Sequence, residues 1–342
     1  MTEARLYERQ DNKRVHCVLC AHECRIADGR RGFCNVRENR DGTLYTLVYG
    51  GTIAEHPDPV EKKPLYHFYP GSRAYSLAAP GCNFRCRWCQ NCQISQLVDD
   101  TVLKQCRPAA PEDIVERAER SQCGSIAYTY TEPTVFFEYA HDIATIAREH
   151  GLANIYVTNG FMTEPMLETA VSWLDAAAVD LKAFSDVTYR KYMGTRLQPV
   201  LDSLKWLKAH NVWIEVTTLV IPDVNDSDAE LTDIAGFIAA ELGPDTPWHV
   251  SRFFPAYRMT GVPPTPPDTL RRARSRGRQA GLNFVYIGNV AEETPTACPH
   301  CDKVLIRRSR GFVEVNRTAA DGSCPGCGTA LAGVGMGALN SG

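Results

Sequence analysis

Twelve of the 14 cysteines in this 342-residue sequence gather in three sets, a pattern that points to metal. The central set reads Gly81-Cys82-Asn83-Phe84-Arg85-Cys86-Arg87-Trp88-Cys89-Gln90-Asn91 and follows directly on an apolar run. Thiolates are the usual ligands of iron–sulfur clusters. A 4Fe-4S cube needs four ligands, so Cys82, Cys86 and Cys89 can hold three irons and leave the fourth open. An open metal position takes a substrate or a cofactor. Gly81 frees the backbone for close approach. The same stretch also permits a zinc knuckle with Cys92 as fourth ligand. Otherwise Cys92 is a thiol on the helix that follows.

Two outer sets flank this loop. Cys17, Cys20, Cys24 and Cys34 offer four thiolates that close a tetrahedral zinc site or hold an auxiliary iron–sulfur cluster. His16 and His22 beside them are expected to face solvent. Cys298-Pro-His-Cys301 and Cys324-Pro-Gly-Cys327 form paired knuckles, a zinc-ribbon or rubredoxin-like pattern for zinc or iron. The 22 residues between the pairs leave room for a hairpin over 304–316. Arg307, Arg308 and Arg310 read most simply as a solvated basic face. Cys106 and Cys123 stand alone and read as small buried hydrophobes.

Something must position these thiols. Short apolar runs predict strands over 74–79, 125–131, 153–158, 176–181, 212–221, 248–254 and 283–287. Helical patterns lie between them, over 111–122, 134–150, 164–173, 200–210, 227–242 and 268–280. Strand–helix alternation over such a length predicts an α/β fold with parallel strands and right-handed crossovers. A full or partial (β/α) barrel and a doubly wound sheet both satisfy it. The expected divisions are an N-terminal cysteine-bearing segment at 1–70, a partial (β/α) barrel at 71–292 and a zinc-ribbon-like module at 293–342. A Gly/Ala-rich tail from Ala330 is expected to fray.

The net charge of -3 gives no electrostatic case for nucleic acid or an anionic membrane. Residues 1–14 lack the apolar core of a signal peptide, and no stretch is long and apolar enough to span a bilayer. A cytoplasmic protein is expected. In that reducing compartment the cysteines serve metal rather than disulfides.

Cys-x3-Cys-x2-Cys with an aromatic residue, here Trp88, before the last cysteine is the signature of radical S-adenosylmethionine (SAM) enzymes, which this sequence resembles. The resemblance implies a 4Fe-4S cluster whose open iron binds SAM, and a 5′-deoxyadenosyl radical. A protein reductant of flavodoxin or ferredoxin type is implied as well. Barrel chemistry gathers at the C-terminal ends of strands. There, Glu132-Pro133 stands in the place of the superfamily's Gly-Gly-Glu-Pro motif, although Tyr130 and Thr131 replace the glycines. Thr158-Asn159-Gly160 and Asp180-Leu181-Lys182 resemble glycyl-radical-enzyme activases. Thr217, His249 and Arg252 end later strands, and Gly288-Asn289 closes the last, beside the adenine. Singly each has a plainer role, such as a turn at Asn159-Gly160, an ion pair for Asp180 and Lys182 or a structural histidine. Polar residues recurring at successive strand ends favour a ligand site, since buried polar groups need partners.

A wider resemblance runs over residues 15–290. The string Asp58-Pro-Val-Glu-Lys-Lys-Pro-Leu-Tyr-His-Phe68, the Tyr128-to-Thr134 segment and His249…Arg252-Phe253 are similar to radical SAM enzymes of the AmmeMemoRadiSam system. Cys92 departs from that pattern. The resemblance implies partners of the Memo and AMMECR types and leaves the substrate open. A glycyl-radical-enzyme activase is the alternative enzyme. A zinc-ribbon scaffold with a non-catalytic barrel is the alternative of another kind, against which the intact triad argues.

Overall fold

A computed structural model describes residues 1–291 and 293–337. Seven parallel strands follow the expected runs: β1 Arg73–Ala78, β2 Ser125–Tyr128, β3 Ala153–Thr158, β4 Ala176–Asp180, β5 Trp213–Val220, β6 Trp248–Arg252 and β7 Val285–Gly288. Strands such as β4, Ala-Ala-Ala-Val-Asp, are apolar on both faces because helices cover one side and a packed interior the other. The helices are α1 Pro111–Arg120, α2 Phe137–Glu149, α3 Glu164–Ala170, α4 Gln198–Ala209, α5 Asp228–Phe237 and α6 Pro267–Gln279. Their starts follow local chemistry. Pro111 opens α1, and Asp113 takes the Ala110 amide at 3.0 Å. Ser227 caps α5 by accepting from the Glu230 amide.

The strands lie in the order β7-β6-β5-β4-β3-β2-β1, with Ala54–Pro59 antiparallel on the outer edge of β1. Each new strand adds on the same side, so the winding never reverses. That excludes the doubly wound alternative and leaves a partial barrel. The edge strand was not legible as one, because two prolines interrupt its sequence.

The barrel's inner face carries small residues low down, among them Ala74, Ala127, Ala176 and Ala178. The chain from Val60 to Phe68 threads into the space they leave. The N-terminal segment forms two small antiparallel sheets that lean on the barrel. Their anchor is Arg37, whose guanidinium meets the Glu138 carboxylate of α2 at 3.0 and 2.5 Å in full burial.

Two C-terminal expectations are corrected. The hairpin is present, as Val304–Ser309 paired with Phe312–Asn316. Arg308, however, is 1% exposed and no part of a solvated face. It donates to the Thr296 hydroxyl and the Tyr66 carbonyl, each at 2.7 Å, and faces the buried Glu61. The tail does not fray where it is described. Leu331 and Met336 are buried, and Val334 pairs with Phe68 beneath the barrel. Residues 338–342 lie outside the described part.

Candidate active site

The cysteine loop leaves the top of β1 through Gly81, whose φ is +108°. A Cβ there would stand 2.7 Å from a methyl of Val36, so only glycine fits. Arg85 then clamps the loop. It donates to the carbonyls of Cys82 and Phe84 at 2.9 and 3.0 Å and to that of Phe33 in the N-terminal segment. The sulfurs themselves receive polar contacts. The Phe84 amide donates to Cys82 Sγ at 3.3 Å, and Ser95 Oγ lies 3.1 Å from Cys89 Sγ.

Sulfur spacing distinguishes a cube from a single ion. A tetrahedral ion with Zn–S of about 2.3 Å holds its sulfurs about 3.8 Å apart. Among the described residues, Cys298, Cys301, Cys324 and Cys327 meet that condition, all within 4.8 Å of one another. Two of their pairs stand at 3.5 and 3.7 Å. The Gly326 amide donates to Cys324 Sγ, as a knuckle turn allows. Cys82, Cys86 and Cys89 do not form such a set, and Cys92 does not complete one. The wider triad fits a cluster in which each thiolate takes its own iron. Cys92 is buried on the short helix Cys92–Ser95.

The loop roofs a cavity of about 370 Å³ at the C-terminal end of the strands. Most of the predicted residues meet there: Cys82, Cys86, Trp88, Cys89, Glu132, Thr158, Asn159, Asp180, Lys182 and Thr217, with Asn289 at the rim. Lys182 Nζ lies 2.7 Å from Asp180. Burial opposes its charge, but Asp180 and then Cys86 hold the ammonium above its ordinary range. Asn159 donates to Asn83 in the cysteine loop at 2.7 Å and approaches Cys82 Sγ at 3.9 Å. Thr217 Oγ1 is buried with no partner in the protein. A polar atom in that condition at a cavity wall asks for a ligand.

Glu132 lines the cavity, as expected of a ligand-binding residue, and is also tied into the fold. Its carboxylate accepts from Thr134 N and Oγ1, Thr158 Oγ1 and the Asn159 amide, at 3.1, 2.7, 2.7 and 2.8 Å. Three of these bonds fall on Oε1 and one on Oε2, which keeps an accepting position. Burial pushes its pKa up, against the pull of these donors. It borders the cavity and ties the ends of β2 and β3 together.

Three predicted residues do not line the cavity. His249 is buried lower in the barrel, with Nε2 2.6 Å from Glu215. Arg252 falls on the opposite face of β6 from Ser251, by strand alternation, and donates to the Thr265 carbonyl at 2.8 Å. Gly160 serves the backbone turn at φ +69°, where a Cβ would stand 2.9 Å from Val179.

Sequence reasoning missed Lys62, Lys63 and Tyr130, which also line the cavity. Asp58 accepts from Tyr130 Oη at 2.7 Å and from Lys63 Nζ at 2.9 Å. Although burial opposes it, Tyr130 and Lys63 hold the Asp58 carboxyl down at about 2. Both lysines and Asp58 stand in the Asp58-to-Phe68 string that carries the wider resemblance.

The fold is an α/β partial barrel with a three-thiolate loop over a polar mouth. Residues 77–234 match the Radical SAM superfamily. An uncharacterized protein of Methanocaldococcus jannaschii is 46% identical over 310 residues, 90% of this chain and 92% of the relative. A second protein of that organism, provisionally named a glycyl-radical enzyme activating enzyme, is 25% identical over 171 residues, 48% of this chain and 62% of its own length. Streptococcus suis SuiB, in its crystal structure bound to S-adenosylmethionine, has a similar fold. Its TM-score is 0.50 at 14% identity, over 67% of this chain and 53% of that one. The match to the Radical SAM superfamily takes in the cysteine loop and the strands that follow it, a little under half of the chain. Members of that superfamily are enzymes that carry a 4Fe-4S cluster and use SAM. No helix among the described residues is long and apolar enough to cross a membrane.

Proposed function

We propose that this chain is a radical SAM enzyme of the AmmeMemoRadiSam type, with Cys82, Cys86 and Cys89 as cluster ligands. The observation that carries the reading is the convergence of that triad with Thr217, Asp180 and Lys182 on one cavity. Bound there, the cluster and SAM supply the superfamily's chemistry, reductive cleavage to methionine and a 5′-deoxyadenosyl radical that abstracts hydrogen. The chain's own residues supply orientation and dryness. Thr217 Oγ1 and the Asp180–Lys182 pair bind polar groups of SAM. Glu132 positions Thr158 and Asn159, and Asn159 in turn braces the cysteine loop through Asn83. Trp88 and Tyr130 narrow the mouth and exclude water. The substrate is a small molecule or a residue on a partner protein. Memo-type and AMMECR-type proteins are the proposed partners, and a flavodoxin or ferredoxin the reductant. The C-terminal four cysteines hold a structural zinc, for which their sulfur spacing is suited.

The test is anaerobic reconstitution followed by assay of 5′-deoxyadenosine with SAM and reductant. Wild-type chain should form it and Cys86→Ala should not, because two thiolates do not retain the cube. Product formed by the variant at the wild-type rate rejects the assignment. The second reading, a glycyl-radical-enzyme activase, is favoured by similarity to the relative of that provisional name. It requires a glycyl radical to appear by electron paramagnetic resonance on a partner enzyme.

A further inference from the structure

We infer that Cys17, Cys20, Cys24 and Cys34 hold a second 4Fe-4S cluster behind the catalytic loop, which passes electrons to the first.

The donor set is four thiolates, the complement a cube requires. Cys17, Cys20 and Cys34 are buried and Cys24 is half-buried, and none forms a disulfide. They lie in one place. The Cys17 amide donates to the Cys24 carbonyl at 2.9 Å, and a Cβ on Gly32, two residues before Cys34, would stand 3.8 Å from Cys24 Sγ. Yet they are not packed as a single-ion site. The C-terminal four show what this chain does for one ion, with all sulfurs within 4.8 Å; the N-terminal four do not form such a set. Thiolates that each bond a different iron stand farther apart than four on one ion. The catalytic triad likewise does not form a single-ion set.

Position supplies the role. Cys34 and the catalytic loop are in contact, since a Cβ on Gly81 would stand 3.3 Å from the Cys34 carbonyl. Arg85, between Cys82 and Cys86, donates to the carbonyl of Phe33, next to Cys34. His22, between Cys20 and Cys24, was expected to face solvent. Instead its Nε2 lies 2.7 Å from the carbonyl of Asn83, and its ring packs at a tilt against Phe33, with centroids 4.1 Å apart. Hydrogen bonds thus join the two cysteine loops directly. None of the four N-terminal cysteines lines the cavity. A cluster there would touch neither SAM nor substrate, and its hydrogen-bonded contact with the catalytic loop suits it to one-electron transfer. One electron leaves a reduced flavodoxin or ferredoxin and reduces the N-terminal cube. That cube is reoxidised as the electron moves to the cube at Cys82.

The relay rests on the proposed SAM cleavage; the second cluster does not. The deciding sample is the full chain carrying Cys82→Ala, Cys86→Ala and Cys89→Ala together, reconstituted anaerobically. It should keep about four iron and four sulfide with the Mössbauer signature of a cube, against about eight of each in the wild type. Zinc should stay at about one per chain. A triple variant with no iron and about two zinc overturns the inference. For the relay, Cys24→Ser is compared with wild type using dithionite and then a flavodoxin with its reductase. The ratio of flavodoxin-driven to dithionite-driven 5′-deoxyadenosine formation should fall roughly tenfold or more. An unchanged ratio in a variant that has lost half its iron refutes the relay and leaves the site. If wild type forms no 5′-deoxyadenosine with either reductant, the proposed activity and the relay fall together, and iron content still decides the second cluster.

Discussion

Arg308→Met should release the C-terminal module from the underside of the barrel. The native guanidinium is wholly buried. It meets the Thr296 hydroxyl and the Tyr66 carbonyl at 2.7 Å, faces Glu61 at 3.6 Å and lies over the Tyr66 ring at 4.4 Å. Its loss strands the Glu61 charge in an apolar setting and unpairs two further acceptors. Breaking a buried ion pair from one side costs about 3–5 kcal/mol. Glu61→Gln keeps an oxygen for the Gly71 amide, which Glu61 now accepts at 2.9 Å, and removes the stranded charge. The double variant should therefore recover much of the loss, with a coupling above about 1 kcal/mol. The readout is hydrogen exchange at the amides of Tyr66 and His67, which donate to Glu215 at 3.0 and 2.7 Å. A loss of 3–5 kcal/mol in local opening speeds their exchange by roughly a hundredfold to a few thousandfold. Exchange within about threefold of wild type in Arg308→Met, or strictly additive single effects, refutes the reasoning.

Two further predictions concern the cavity and the lower interior. Asp180→Ala should weaken SAM binding measured by titration while leaving the melting temperature near wild type, whereas His249→Ala should lower melting and leave SAM affinity alone. The contrast arises because His249 serves buried Glu215, whose orphaning costs roughly 1–3 kcal/mol. Stability should also fall with acid. Burial outweighs the pull of Glu215 and lowers the His67 pKa to about 4. The unfolded chain then takes a proton near pH 6.5 that the folded chain refuses. The stability is complete above about pH 6.5 and shrinks toward pH 4, by up to about 3 kcal/mol. Melting of metal-loaded chain from pH 7 to 5 should drop in wild type and drop less in His67→Gln; equal slopes reject the assignment to His67.

The cysteine loop, the seven barrel strands and the strand-end part of the cavity wall were legible because each rests on local sequence. Thiolates at fixed spacing specify a metal loop, and apolar runs ending in Thr158-Asn159, Asp180 and Thr217 specify strand mouths. His249 shows where this fails. It is the register partner of Thr217, and Thr217 lines the cavity. Barrel strands tilt by about 36°, so the layer that meets the mouth shifts along each successive strand. By β6 the mouth residue is Ser251, and His249 sits one layer down. No single run carries that shift. Arg308 and the 331–336 tail were illegible for another reason. Their partners Tyr66, Thr296 and Phe68 are distant in sequence or on other elements, and a basic hairpin looks alike whether solvated or docked.

The two polar zones on the inner face of the sheet differ in who satisfies them. Glu215, deep in the barrel, accepts from the amides of Tyr66 and His67 and lies within bonding distance of His249 Nε2, with Trp213 Nε1 at 3.2 Å. The protein meets its needs, so it is scaffold. Thr217, two residues on along the same face of β5, has no protein partner and opens on the cavity. Residue type alone does not separate the two, since both are polar groups on an apolar strand. Glu132 extends the test. It borders the cavity with Oε1 spent on Thr134 and Thr158, while Oε2 accepts only the Asn159 amide. Cavity position combined with an unspent bonding position selects Thr217 and Glu132, while the lone pairs of Glu215 are committed to the fold.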